Sequence, residues 1–190
     1  MPNPDDQQTG RNRDAPVEIV PYDEAWPDRF RTEREWLSIL LAPWLAGEIE
    51  HVGSTAVPGM PAKPIIDIMA PVHDLDASRP AIDAAASAGY LYAPYKTDEM
   101  HWFCKPSPTH RTHHLHLVPR SSLLWKQRLA FRDALREEAD VAREYAELKR
   151  QLAERFRFDR EAYTRAKGPF VRRVLNHRSD DSGRCQESRG

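Results

Sequence analysis

The sequence predicts an α/β fold of the α+β type, a single domain in which a mixed sheet of about five strands is flanked by helices. Three observations carry that prediction. Short β-type runs recur at residues 48–52, 65–70, 90–93, 101–105 and 111–118, separated by turn-forming Gly and Pro. Stretches with helical spacing of apolar residues stand before, between and after them, at 23–42, 77–88, 122–136, 139–155 and 160–176. The chain has 190 residues, 40% hydrophobic and 30% charged, which suits one core and leaves no apolar run long enough to span a bilayer.

Residues 1–15 are polar, charged and Pro-containing, so they read as a disordered arm before a domain at 16–176. Residues 17–20 read as a short strand or extended lead-in, stopped by Pro21. Asp23 then caps a helix with Pro27 in its first turn and Trp26, Phe30, Leu37, Leu40, Leu41 and Trp44 as its inward stripe, ended by Pro43 and Gly47. The region around Asp74 to Asp76 caps a helix over 77–88, closed by Gly89. Residues 101–105 and 111–118, joined by a turn, read as an antiparallel hairpin. Ser122 caps the helix that carries Leu123, Leu124, Arg128, Phe131 and Leu135 roughly on one side. Tyr145, Leu148 and Leu152 are inward positions of the next helix, and Asp159 caps the last one, at 160–176. The polar stretch 177–190 reads as a disordered tail.

Two stretches carry chemistry. The first, residues 49–69, is a β-type run, the turn Gly53-Ser54-Thr55, and a second β-type run from Ile65. Gly53 admits a positive φ and close backbone approach, Ser54 and Thr55 add hydroxyl and N–H donors, and Lys63 adds a cation nearby. A strand followed by Gly-Ser and a short helix is a phosphate-cradle arrangement, because donors at a helix start favour negative charge. The same tripeptide also serves as an ordinary turn, so the pattern leaves both readings open. On the strand that follows, Ile65, Asp67 and Met69 share one face, and a carboxylate in so apolar a strand needs a reason. The second stretch is 111–118, where Thr112, His114 and His116 share one face and His113, Leu115 and Leu117 the other. His-x-His on a strand projects two imidazoles in parallel, suited to a metal or to a hydrogen-bonded phosphate. Arg132 and Arg136 are helical neighbours of like charge that need an acid or a phosphate between them, and Asp133 is one such acid.

The segment H-V-G-S-T-A-V-P-G-M-P-A-K-P-I-I-D-I at 51–68 resembles the signature of the GrpB family of small bacterial proteins. The resemblance continues in V-P-Y-D-E-A-W-P-D-R-F at 20–30, H-H-L-H-L-V at 113–118, L-A-F-R-D-A-L-R at 129–136 and Y-T-R-A-K at 163–167, covering about 17–175. That family is similar to the nucleotidyltransferase superfold and also occurs fused to dephospho-coenzyme A kinases. The resemblance implies that Gly53, Ser54 and Thr55 grip phosphates, with Lys63, Arg132 and Lys167 as further cations and Tyr163 stacking on a nucleotide. It places the 111–118 strand beside the 65–70 strand, so that Asp67, His114 and His116 hold a divalent metal while Asp67 and Lys63 serve catalysis. The implied ion is manganese, zinc or magnesium. Two imidazoles favour manganese, zinc or iron(II), because magnesium prefers oxygen ligands. The superfold's second acid is replaced here by Met69, which removes the usual two-metal arrangement.

Composition narrows the partners. A formal net charge of -1 gives no basic excess for gripping DNA or RNA, so the expected ligand is a nucleoside triphosphate or a coenzyme A-like small molecule, with no nucleic acid and no membrane. Two cysteines without metal or redox spacing and no signal peptide make the cytoplasm the expected compartment. The leading expectation is a nucleotidyltransferase-like transferase moving a nucleotidyl or phosphoryl group to a small acceptor. The alternatives are a metal-dependent phosphohydrolase and a non-catalytic nucleotide or coenzyme A binding module.

Overall fold

A computed structural model describes residues 15–187, with side chains through residue 178, so the expected arm at 1–14 lies outside the described residues. Five strands form one mixed sheet: β1 (Glu50–Val52), β2 (Ile66–Val72), β3 (Leu91–Tyr92), β4 (His101–Pro106) and β5 (Arg111–Pro119). Their spatial order is β1-β2-β5-β4-β3. The central pair β2 and β5 is parallel, with Asp67 opposite His114 and Met69 opposite His116. The remaining pairs are antiparallel, including the β4/β5 hairpin expected from the sequence. A strand covered on both faces reads as continuously apolar, and β2 is buried along its length except at the half-buried Asp67.

Helix α1 (Trp26–Leu40) begins where the Asp23 carboxylate accepts from the Ala25 N–H at 2.9 Å, with Pro27 in the first turn. Together with α2 (Ala81–Ser87) it covers one face of the sheet. Trp26, Leu37, Leu41, Ala81 and Ala85 pack there on Ile66, Ile68, Ala70, Phe103, Leu115 and Leu117. The other face lies under α3 (Leu123–Glu137), whose Ser122 cap accepts from the Trp125 N–H at 3.2 Å. Helix α4 (Ala139–Arg155) follows, then α5 (Arg160–Ala166), capped by Asp159 through the Ala162 N–H at 2.8 Å, and α6 (Gly168–Glu187). Ala134, Leu135, Tyr145, Ala146, Phe170 and Val174 tie α3, α4 and α6 together.

Two expectations give way to local chemistry. The helix expected over 77–88 shrinks to α2, because Asp74 spends its carboxylate on the Ala77 N–H at 2.7 Å in a turn, and helix proper starts only after Pro80. The single helix expected over 160–176 is two. Pro169 has no N–H to continue α5, and suits the first turn of a new helix. That helix, α6, runs on to Glu187 where the sequence reads as a tail. Arg178 anchors the extension on α3, donating to Glu137 Oε2 at 2.6 Å.

Candidate metal centre

The period of two along β2 and β5 decides the site. Asp67 and His114 are register partners, and His116 is two residues on, so all three side chains stand on the α3 side of the sheet. His114 Nδ1 donates to Asp67 Oδ1 at 2.9 Å, and His116 Nε2 lies 3.9 Å from the same oxygen. One ligand atom from each residue falls within 4.8 Å of the others. Burial by itself would raise the Asp67 carboxyl, but the hydrogen bond from His114 and the nearby His116 imidazole outweigh it and hold it well below the usual carboxylate range. Burial, with the nearby Arg128 charge, depresses the His116 imidazole to about 3. A neutral imidazole and an ionised carboxylate are the forms that ligate metal.

The donor set is of a kind that fits a divalent ion, and a second observation is compatible with that fit. Among the described residues, His114 Nε2 and His116 Nε2 are both buried without a hydrogen-bond partner. An unsatisfied buried nitrogen is costly, and a bound cation is one group that would satisfy such a nitrogen. Met100 Sδ, 3.3 Å from His116 Nδ1, fixes that ring from behind. The Trp102 ring, 5.2 Å from that of His114, flanks the other imidazole.

Cations surround this acid. Lys167 feels the charges of Lys63, Asp67 and Arg128, and burial together with these cations lowers its ammonium to about 7. Its Nζ rests 4.4 Å from the Tyr163 ring centre, and Lys63 Nζ lies 5.2 Å from the same ring. Lys149, 2% exposed, donates to the Pro61 carbonyl at 2.5 Å and is likewise lowered to about 7, by burial and then by Lys167. Arg128 on α3 is another cation coupled to Asp67. Two cations near the carboxylate, Lys167 and Arg128, with Lys63 and Lys149 beside Lys167, suit an anionic ligand.

The GrpB protein family pattern matches residues 16–177. The chain belongs to the GrpB family. A UPF0157 protein of Pseudomonas aeruginosa is 42% identical over 182 residues, 92% of this chain and 72% of that protein. The crystal structure of the conserved protein GrpB from Enterococcus faecalis superposes with a TM-score of 0.75 at 30% identity, covering 84% of this chain and 96% of that one. A dephospho-CoA kinase of Mycobacterium tuberculosis is 39% identical over 79 residues, which is 40% of this GrpB chain and 19% of the kinase.

Several residues of this GrpB chain sit differently from their expected roles. Gly53 has φ 73°, as the turn requires, but the group it approaches is Asp67: a Cβ would overlap the carboxylate and lie 3.1 Å from Asp67 Cβ. Ser54 opens the expected short helix, a 3-10 turn over Ser54–Ala56, with the Tyr145 phenol near it. Thr55 is turned inward, 1% exposed, with its Oγ1 donating to the Ile65 carbonyl at 3.2 Å and within 3.0 Å of His51 Nε2; a phosphate has no access to it. Arg132 is spent on Glu50 at 2.6 Å and Asp133 at 2.7 Å, the acids that separate it from Arg136, and not on a phosphate site. Tyr163 is 1% exposed among Val17, Leu152 and Ala153, so no base can stack on it, and its ring carries the two lysines instead. Sequence reasoning passed over Arg128, Lys149 and Tyr145 as site neighbours. The available signal was a cation, Arg128, inside the apolar stripe of α3.

Proposed function

We propose that this GrpB chain is a single-metal transferase that moves a nucleotidyl or phosphoryl group from a nucleotide to a small acceptor. The observation that carries the reading is the Asp67, His114 and His116 cluster, with Arg128 and Lys167 near enough to interact electrostatically with Asp67 and Lys63 beside Lys167. A divalent ion held by those three side chains would supply Lewis-acid polarisation of a phosphoryl oxygen. Asp67 stays ionised and His116 neutral, so neither needs to lose a proton before ligating. Lys63, Lys167 and Arg128 neutralise the charge that builds on phosphate oxygens as the group transfers. Met69, 0% exposed and packed against Val52, Met100 and Val118, offers no oxygen for a second hard cation, so the chemistry is single-metal. Two imidazoles favour manganese or zinc over magnesium.

Met69 also favours a second reading, a non-catalytic nucleotide or coenzyme A binding module. The similarity of a 79-residue stretch to part of a dephospho-CoA kinase points to the same ligand class. The test incubates the full chain with each nucleoside triphosphate, a panel of divalent metals and small acceptors, and follows pyrophosphate and orthophosphate. Pyrophosphate release that needs an acceptor supports nucleotidyl transfer, and a phosphorylated acceptor supports phosphoryl transfer. Orthophosphate without any acceptor makes the protein a phosphohydrolase. Nucleotide binding with none of these products makes it a binding module.

A further inference from the structure

Besides apolar packing, helix α3 holds the metal-centre turn through two guanidinium groups on backbone carbonyls. Arg132 Nη1 donates to the His51 carbonyl at 3.1 Å, just before Gly53, while the same nitrogen holds Glu50 at 2.6 Å. Arg136, one helical turn further along, donates through Nε and Nη2 to the Ala56 carbonyl at 3.0 and 2.8 Å, just after Thr55. The two forks therefore bracket residues 51–56 from outside. From inside, His51 Nε2 and the Ile65 carbonyl hold Thr55 Oγ1. What lies within the bracket is Gly53, packed so closely on Asp67 that a methyl group has no room.

We infer that Arg132 and Arg136 are positioning residues for Asp67: α3 clamps the Gly53 turn, and the clamped turn fixes where the Asp67 carboxylate meets His114. The inference rests on the metal-centre reading for its purpose but not for its geometry. A planar guanidinium that spends two N–H groups on one carbonyl fixes direction as well as distance, which a lysine ammonium does not. Because Gly53 leaves Asp67 no slack, a shift of the turn by a fraction of an ångström moves the carboxylate against its 2.9 Å hydrogen bond to His114. Groups hydrogen-bonded directly to metal ligands are worth about 10- to 100-fold in affinity, which sets the upper range for a clamp that acts on Asp67 through the turn.

The test uses the metal-free full chain and nitrogen NMR of the imidazole rings, which reads the Asp67–His114 hydrogen bond directly. The expected result is a displaced or lost His114 Nδ1–H resonance in Arg136→Ala, a smaller displacement in Arg136→Lys and in Arg132→Ala, and none in Arg143→Ala, an exposed α4 position paired with Asp140. Adding manganese to the same samples should show dissociation constants raised by up to about 10- to 100-fold in Arg136→Ala and unchanged in Arg143→Ala. An unmoved His114 resonance in a natively folded Arg136→Ala overturns the clamp. If that variant does not fold, an unmoved resonance in folded Arg136→Lys and Arg132→Ala overturns it equally. A His114 resonance that follows Arg136 while the unsubstituted chain takes up no metal leaves the clamp standing and removes the metal-centre reading.

Discussion

On the α1 side of the sheet, β2 and β5 present Ile66, Ile68, Ala70, Leu115 and Leu117 to two helices that close over them without a gap. On the α3 side, one residue along in the same strands, they present Asp67, His114 and His116. Backbone, register and neighbouring strands are shared, so the difference begins with alternation: a pleated strand sends odd and even positions to opposite faces. The apolar face buys stability, and the polar face carries nitrogens without a partner among the described residues, and cations close together, that stability alone would not select. The asymmetry extends to the helices, since α1 and α2 contribute Trp26, Leu37 and Ala85, whereas the helices of the other side contribute Arg128, Lys149 and, at the end of α5, Lys167.

The sharpest way to break that division is to empty the apolar face. Leu115→Ala should cost about 2–5 kcal/mol in urea unfolding, as large-to-small core substitutions do, yet leave metal affinity per folded molecule unchanged. If Leu115→Ala weakened metal binding as much as His116→Ala, the two faces would not be separable.

The next effect comes from the polar group that β1 lends to the α1 side. His51, 7% exposed and stacked on Phe30 with ring centres 4.5 Å apart, is depressed by burial to about 4. Unfolded, it takes its proton near the ordinary 6.5. The unfolded chain therefore binds more protons between these values, and stability falls as pH drops from 6.5 towards 4. At about 1.4 kcal/mol per pKa unit, the loss is on the order of 3 kcal/mol. His51→Gln should make the acid limb of a stability-versus-pH curve shallower, the buried His116 keeping its own share, and an unchanged limb would show that His51 does not titrate this way.

Gly53→Ala follows. Its backbone, φ 73° and ψ -172°, lies in a region open in practice to glycine alone, which costs a substituent about 1–3 kcal/mol. Because the new methyl meets Asp67, the thermal midpoint and the metal affinity should fall together. A lowered midpoint with intact metal affinity would detach the turn from the site.

The smallest expected signal is a proton count. Lys167 and Lys149, lowered to about 7, are part-neutral at pH 7, and an anion beside them favours their charged forms. Pyrophosphate binding near that pH should take up protons, visible as calorimetric heats that change with the buffer's ionisation enthalpy. Heats that do not depend on buffer would place the anion elsewhere.

Much of this was legible in the sequence. Alternation in 65–70 and 111–118 put Asp67, His114 and His116 on defined faces, and the caps Ser122 and Asp159 marked helix starts that the structure reproduces. What alternation does not carry is which turn residue faces inward. Thr55 was read as a phosphate donor because its partners, His51 and the Ile65 carbonyl, become neighbours only once the strands pair. Lys149 and Tyr163 were opaque for the same reason, since a helical position is buried or exposed only relative to what packs on it. The break at Gly168-Pro169 was written plainly in the chain, and lay inside a stretch read as one helix.

The central claim is that Asp67, His114 and His116 hold a metal, and metal content after chelation and reloading tests it most directly. The unsubstituted chain and His113→Ala should retain manganese or zinc, because His113 stands on the opposite face, opposite Ile66 and beside Thr112 at 2.9 Å. Asp67→Ala, His114→Ala and His116→Ala should lose it. Equal retention in all four variants, or none in the unsubstituted chain, would contradict the account.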